Sequence, residues 1–105
     1  MMRQVRRIGV TELVALYRSA AAKHGDATVE ANHRKANKAA DTIAEIYREL
    51  RARKEERSLI HLLGEDNPSV RAWAAAHALE FSPRDGERVL LELEAQPGFL
   101  GLDAS

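Results

Sequence analysis

The chain has no cysteine among its 105 residues. That excludes a disulfide scaffold and any zinc site with thiolate ligands, and it fits a reducing compartment. Aromatic residues are scarce: one Trp, two Tyr and two Phe. Proline occurs three times, at Pro68, Pro83 and Pro97, each where a helix is expected to begin or stop. There is no apolar run of about eighteen residues, so no membrane-spanning helix is expected. The basic opening MMRQVRRIGVTEL lacks a long apolar centre and a small-residue cleavage pattern. It is therefore not read as a secretory leader, and a cytoplasmic location is the expectation.

What is present is an ordinary globular composition, 45% hydrophobic and 30% charged, expected to form one domain over residues 1–105. The apolar spacing is helical throughout. Thr11 is placed to cap a first helix with Leu13, Leu16, Tyr17 and Ala20 on one face and Gly25 as its stop. A longer second helix is expected from about Thr28 into the Arg51–Glu56 region. Its stripe is Ala36, Ala40, Ile43, Tyr47 and Leu50, with Val29 extending it one turn back. Steps of four and three residues make the seam of a nearly antiparallel pair, so the first two helices are read as a hairpin. A short helix, SLIHLLG, follows, with Leu59, Ile60 and Leu63 on one side and Gly64 at its end.

The stretch NPSVRAWAAAHALEF, residues 67–81, contains only two charged residues, Arg71 and Glu80. Asn67 suits the N-cap and Pro68 the first helical position, where its missing N–H costs nothing. Val70, Ala74, His77, Ala78 and Phe81 form one stripe, flanked by Trp73, while Ala72, Ala75, Ala76 and Leu79 lie opposite. A helix apolar nearly all round is expected to be covered on two sides. Ser82-Pro83 repeats the cap-and-proline device for a last helix carrying Val89, Leu90 and Leu93, which is expected to stop at Pro97-Gly98.

Side chains for catalysis are hard to assemble. The histidines His24, His33, His61 and His77 form no paired metal motif, and His77 reads as a hydrogen-bonded core residue. No GxxxxGK[ST], GxGxxG or GxSxG occurs. Ser58, Ser69 and Ser82 stand at helix starts, where capping explains them. Asp41, Glu45 and Glu49 share a helical face with Lys38, Arg48 and Arg53 at ion-pairing spacing. No enzymatic activity, no metal and no cofactor is therefore expected.

Charge is the clearer clue. Residues 1–64 hold thirteen Lys/Arg against eight Asp/Glu, and residues 65–105 hold three against eight. The split fits either solvated helix faces or a charged partner. On the second helix Arg34, Lys35, Lys38, Arg48, Arg51, Arg53, Lys54 and Arg57 could track nucleic-acid phosphates. Interleaved glutamates and the lack of alternating aromatics argue against it. Trp73 and Tyr17 are either core fillers or anchors for a protein partner.

The short loop GEDNP between antiparallel helices, with Val70-Arg71 and then Ala74-Ala75, resembles one HEAT-type repeat. By that resemblance Arg71 would be structural, bonding groups of the neighbouring loop. The blocks KANKAADTIAEIYRELR, LLGEDNPSVRAWAAAHALEFSP and GFLGLDAS, in this order, resemble an uncharacterised bacterial family of short HEAT-like (armadillo-type) helical domains. No catalytic residues are established for that family, so the resemblance carries none over to this chain. It implies an all-α fold of five helices, a hairpin packed on about one and a half HEAT-like repeats. The functional expectation is a non-catalytic protein-interaction module. Its most concrete form is a toxin-neutralising (immunity) protein, by analogy with other small bacterial helical proteins. The partner-binding residues would be Arg34, Lys38, Arg48, Arg51 and Trp73, meeting an acidic protein surface. A nucleic-acid-associated regulator using the second helix is the alternative, and an unfinished repeat stack also invites homo-oligomerisation.

Overall fold

The structure, a computed structural model, describes residues 5–96. Its described residues are all-α, with no strand. A 3-10 turn, Val5–Arg7, leads into α1 (Val10–Val29) and α2 (His33–Ala52); a 3-10 helix, Glu56–Gly64, precedes α3 (Pro68–Phe81) and α4 (Pro83–Glu94). The four α-helices and the longer 3-10 helix are the five helices expected. The chain divides into two compact units, Met1–Ser58 and Leu59–Ser105.

In the first unit α1 and α2 pack on each other as a helical hairpin. Leu13, Tyr17, Ala20, Ala21 and Ala27 are buried on α1, and Ala39, Ile43, Ile46, Tyr47 and Leu50 on α2. Three boundaries differ from the sequence expectation. Gly9, not Thr11, occupies the N-cap of α1, with no side-chain cap. Gly25 does not stop the helix but lies buried within it. The second helix starts at His33 rather than near Thr28, because Asn32 Oδ1 accepts the Lys35 amide at 3.1 Å. Val29 thus ends α1 and is 85% exposed; it extends no stripe of α2.

The reason is the helix ending actually used. The Asn32 amide donates to Ala27 O at 2.8 Å and the Ala31 amide to Thr28 O at 3.1 Å, with Ala31 left-handed at φ 57°. This is a Schellman motif without glycine. α2 ends the same way: Glu55 N donates to Leu50 O at 2.8 Å, Lys54 N to Arg51 O at 2.9 Å, and Lys54 has φ 60°. The remaining stripe holds from Ile43 onward, but Ala39 and Ile46 are buried while Ala36 and Ala40 are only half-buried.

SLIHLLG is 3-10 rather than α-helical. With three residues per turn, Leu59 and Leu62 stack on one side. Leu59, Leu62 and Leu63 are the buried residues, and Ile60 is half-buried.

In the second unit α3 begins as expected: Asn67 Oδ1 accepts from the amides of Ser69 (2.9 Å) and Val70 (3.1 Å), with Pro68 in the first turn. The cap is therefore Asn67 alone, and Ser69 is a buried side chain rather than a capping one. Ser82 alone separates α3 from α4. Its hydroxyl donates to Asp85 Oδ2 at 2.7 Å and caps no amide, contrary to the simple cap expected. α4 returns antiparallel along α3: Gly86 meets Ala75 and Leu79, and further on Glu92 meets Arg71.

Val70, Ala74, Ala75 and Ala78 are buried on α3, with Val89 and Leu93 on α4. The expected second cover of α3 is incomplete. Ala75 is covered, yet Ala76 is exposed and Leu79 is 44% exposed. Alanine has little surface to hide, so an apolar helix built on it tolerates an open side at small cost. α4 ends at Glu94 with Ala95 as its C-cap, short of the expected stop at Pro97-Gly98; those two residues and the block GFLGLDAS lie outside the described residues.

Candidate partner-binding surface

α2 presents to solvent the side opposite Ile43, Ile46 and Leu50. Arg34, Lys38 and Arg48 are exposed there, and Arg51 is exposed at its flank. They do not form one patch. Arg34 and Lys38 are one turn apart, whereas Arg48 lies ten residues beyond Lys38, about 15 Å along the axis at 1.5 Å per residue. Asp41 and Glu45 fall on the same face between the two pairs. The expected ion-pair row is mostly unformed: among the described residues only Glu49 of its members pairs, with Arg53 at 2.8 Å. Arg34, Lys38 and Arg48 make no ion pair among the described residues.

Arg53 is committed elsewhere. Its Nη2 donates to Val5 O at 2.9 Å and Arg6 O at 3.1 Å, so it ties the N-terminal turn to the end of α2. That removes it from the cations available to a ligand.

A cleft of about 330 Å³ opens between α1 and α2. Leu16, Ala20 and Ala39 supply its apolar walls. Three lysines line it, Lys23 from α1 with Lys35 and Lys38 from α2, together with the hydroxyl residues Ser19 and Thr42. Helical spacing explains the set: Leu16, Ser19, Ala20 and Lys23 recur three and four apart on α1, as do Lys35, Lys38, Ala39 and Thr42 on α2. Lys38 therefore belongs with Lys23 and Lys35 more than with Arg48 and Arg51. Spacing along α2 does not point to Lys23, which sits on the other helix; only the register of the hairpin brings it here.

The aromatic candidates separate. Tyr17 is fully buried, and burial, with Tyr47 as a smaller contribution, pushes its phenol far above the ordinary value; it fills the core. Trp73 belongs to the second unit, half-buried on α3 with its ring 6.2 Å from that of His77. Burial pulls the His77 imidazole below its usual range, against a smaller opposing effect of Glu80. Burial thus favours the neutral imidazole of His77 beside Trp73.

Arg71 stands at a structural junction. Its Nε donates to Leu63 O at 2.9 Å, closing the loop before α3, and its Nη2 reaches Glu92 Oε1 of α4 at 2.8 Å. Among the described residues no group of three or more His, Asp or Glu is arranged to hold a metal, and no helix is long and apolar enough to cross a membrane.

An α-helical hairpin with a lysine-lined cleft, and a second antiparallel pair locked by an arginine, define the class as a small all-α domain with a cationic surface. The chain belongs to the family described as a domain of unknown function, DUF2019, whose model matches residues 11–98. No curated protein and no solved structure matches it.

Proposed function

We propose that the chain is a non-catalytic protein-interaction module whose cationic α1–α2 side receives an acidic protein surface. The observation that carries this reading is the set of exposed cations Arg34, Lys38 and Arg48, which form no ion pair among the described residues, beside a cleft lined by three lysines. Uncommitted cations of this kind speed association with an acidic surface and give it salt dependence. Arg51 extends the same side; Trp73, half-buried on α3 of the second unit, is proposed separately as an aromatic anchor for a partner.

The architecture belonging to this reading is HEAT-like. In its favour are the antiparallel α3–α4 pair and the bond from Arg71 to Leu63 O, the structural role such repeats give to that arginine. The most concrete biological form is a bacterial immunity protein that neutralises an acidic toxin in the cytoplasm. The nucleic-acid reading uses the same cations, but Asp41 and Glu45 interrupt a phosphate track and no ring lines the cleft to stack a base.

The test is capture with immobilised wild-type protein beside the Arg34→Glu/Lys38→Glu/Arg48→Glu/Arg51→Glu variant, run with binding to short labelled RNA and DNA. A protein retained by the wild type and lost with the variant supports the reading. Salt-dependent nucleic-acid binding at micromolar protein, with no protein retained, overturns it.

A further inference from the structure

We infer that the α1–α2 cleft is a carboxylate-binding site that takes an acidic side chain and a neighbouring aliphatic one from a short segment of the partner protein. The inference rests on the protein-interaction reading and names the site and chemistry through which it would act. Three lysines line one space of about 330 Å³. Lys23 and Lys38 have no ion pair among the described residues, and Lys35 has only a 3.9 Å approach to the exposed Glu30. Like charges so placed repel one another, and an anion entering between them relieves that repulsion.

The hydrogen-bonding inventory points the same way. Each lysine offers donors and no acceptor, and Ser19 adds a hydroxyl with no bond of its own among the described residues. Thr42 already donates its hydroxyl hydrogen to Lys38 O at 3.2 Å. The cleft is therefore rich in donors, which suits an acceptor-only group such as a carboxylate. The Leu16, Ala20 and Ala39 walls give an aliphatic neighbour a place to sit beside the charge.

The same features select against a nucleic-acid strand. No aromatic or arginine plane lines the cleft. Glu30 stands at one end, and Asp41 and Glu45 follow on α2, so an extended polyanion meets like charge where a short acidic segment does not.

The probe is an acetylated Glu-Leu-Glu-Glu-Leu-Glu amide peptide titrated into the full chain labelled with nitrogen-15, with a Gln-Leu-Gln-Gln-Leu-Gln peptide as control. Amide shifts should concentrate at Ser19, Lys23, Lys35, Lys38 and Thr42 for the acidic peptide alone. The Lys23→Gln/Lys35→Gln/Lys38→Gln variant, checked for an unchanged thermal midpoint, should bind about ten-fold more weakly, as three exposed pairs would contribute. Arg84→Gln, an exposed cation of α4 outside the proposed surface, should change affinity less than about two-fold. Equal binding by the lysine variant, shifts centred elsewhere, or tighter binding of a single-stranded oligonucleotide at the same amides would each overturn the site. So would self-association that the lysine variant abolishes, because the occupant would then be a second copy. A captured partner that is insensitive to the three lysines but lost with Arg48 and Arg51 would sink this inference alone. A filled cleft with no protein partner depending on it would instead sink the functional reading.

Discussion

Gly86 of α4 lies so close to Ala75 of α3 that a Cβ built on the glycine would sit 2.6 Å from the Ala75 carbonyl oxygen and 2.9 Å from the Leu79 amide nitrogen. Both obstacles are backbone and cannot swing aside. Helix propensity alone would make Gly86→Ala stabilising by about 1 kcal/mol. The contact outweighs that gain, since overpacking against fixed atoms costs roughly 1–3 kcal/mol or more. Gly86→Ala should therefore lower the thermal midpoint by several degrees, at roughly 4–8 °C per kcal/mol for a domain near this size. A raised midpoint would show that the two helices are not held at this distance.

The helix ends provide the opposite case. Ala31 and Lys54 are left-handed, at φ 57° and 60°, where only glycine is unstrained. Ala31→Gly and Lys54→Gly should each stabilise by about 0.5 kcal/mol, the relief of strain less the added unfolded-state entropy. Urea midpoints that fall for both would refute the assigned helix endings.

These two positions also mark what was legible in the sequence. Asn67 with Pro68 announces α3 because a side-chain cap followed by a rigid φ is a local signal, and it marks the helix start to the residue. The end of α1 is not so marked. Gly25 offered the usual stop, but it is buried inside the helix, and the turn was made by Ala31, which carries no local mark. Packing between helices overrode propensity there. The candidate surface was half visible: Arg34 and Lys38 could be placed on the outer side of α2 from spacing alone. The partnership of Lys38 with Lys23 depends on the register of the hairpin, which no single-helix pattern contains.

Arg71 separates a hydrogen bond from an ion pair in one side chain. The bond to Leu63 O is partly buried, while Glu92 is half exposed. Charged-to-neutral hydrogen bonds contribute about 1.5–3 kcal/mol, exposed pairs at most about 1. Arg71→Met should thus cost about 2 kcal/mol in urea unfolding, and Glu92→Gln well under 1. Equal losses would mean that the loop bond contributes nothing of its own.

His77 and Tyr17 set opposite pH limits. His77 has a depressed imidazole pKa, so its neutral form belongs to the folded state and its contribution is complete above the unfolded value near 6.5. That stability is lost as pH falls from there through the folded value. Tyr17 is raised, so its contribution is complete below the unfolded value of 10.0 and is lost as pH climbs above it. Thermal midpoints should fall below about pH 6.5 and above about pH 10. His77→Gln should flatten the acid limb and Tyr17→Phe the alkaline one; limbs unchanged by these substitutions would assign them to other groups.

The central claim is that the cationic α1–α2 side steers an acidic protein partner, and the association rate tests it most directly. The partner's rate constant should be measured for the wild type and the Arg34→Glu/Lys38→Glu/Arg48→Glu/Arg51→Glu variant at low and high salt. The variant should keep its thermal midpoint within a few degrees, because exposed charges contribute little to stability. It should associate at least about ten-fold more slowly at low salt, with the difference shrinking as salt screens the charges. Association at the wild-type rate under both conditions would reduce these four residues to a solvated helix face and contradict the account.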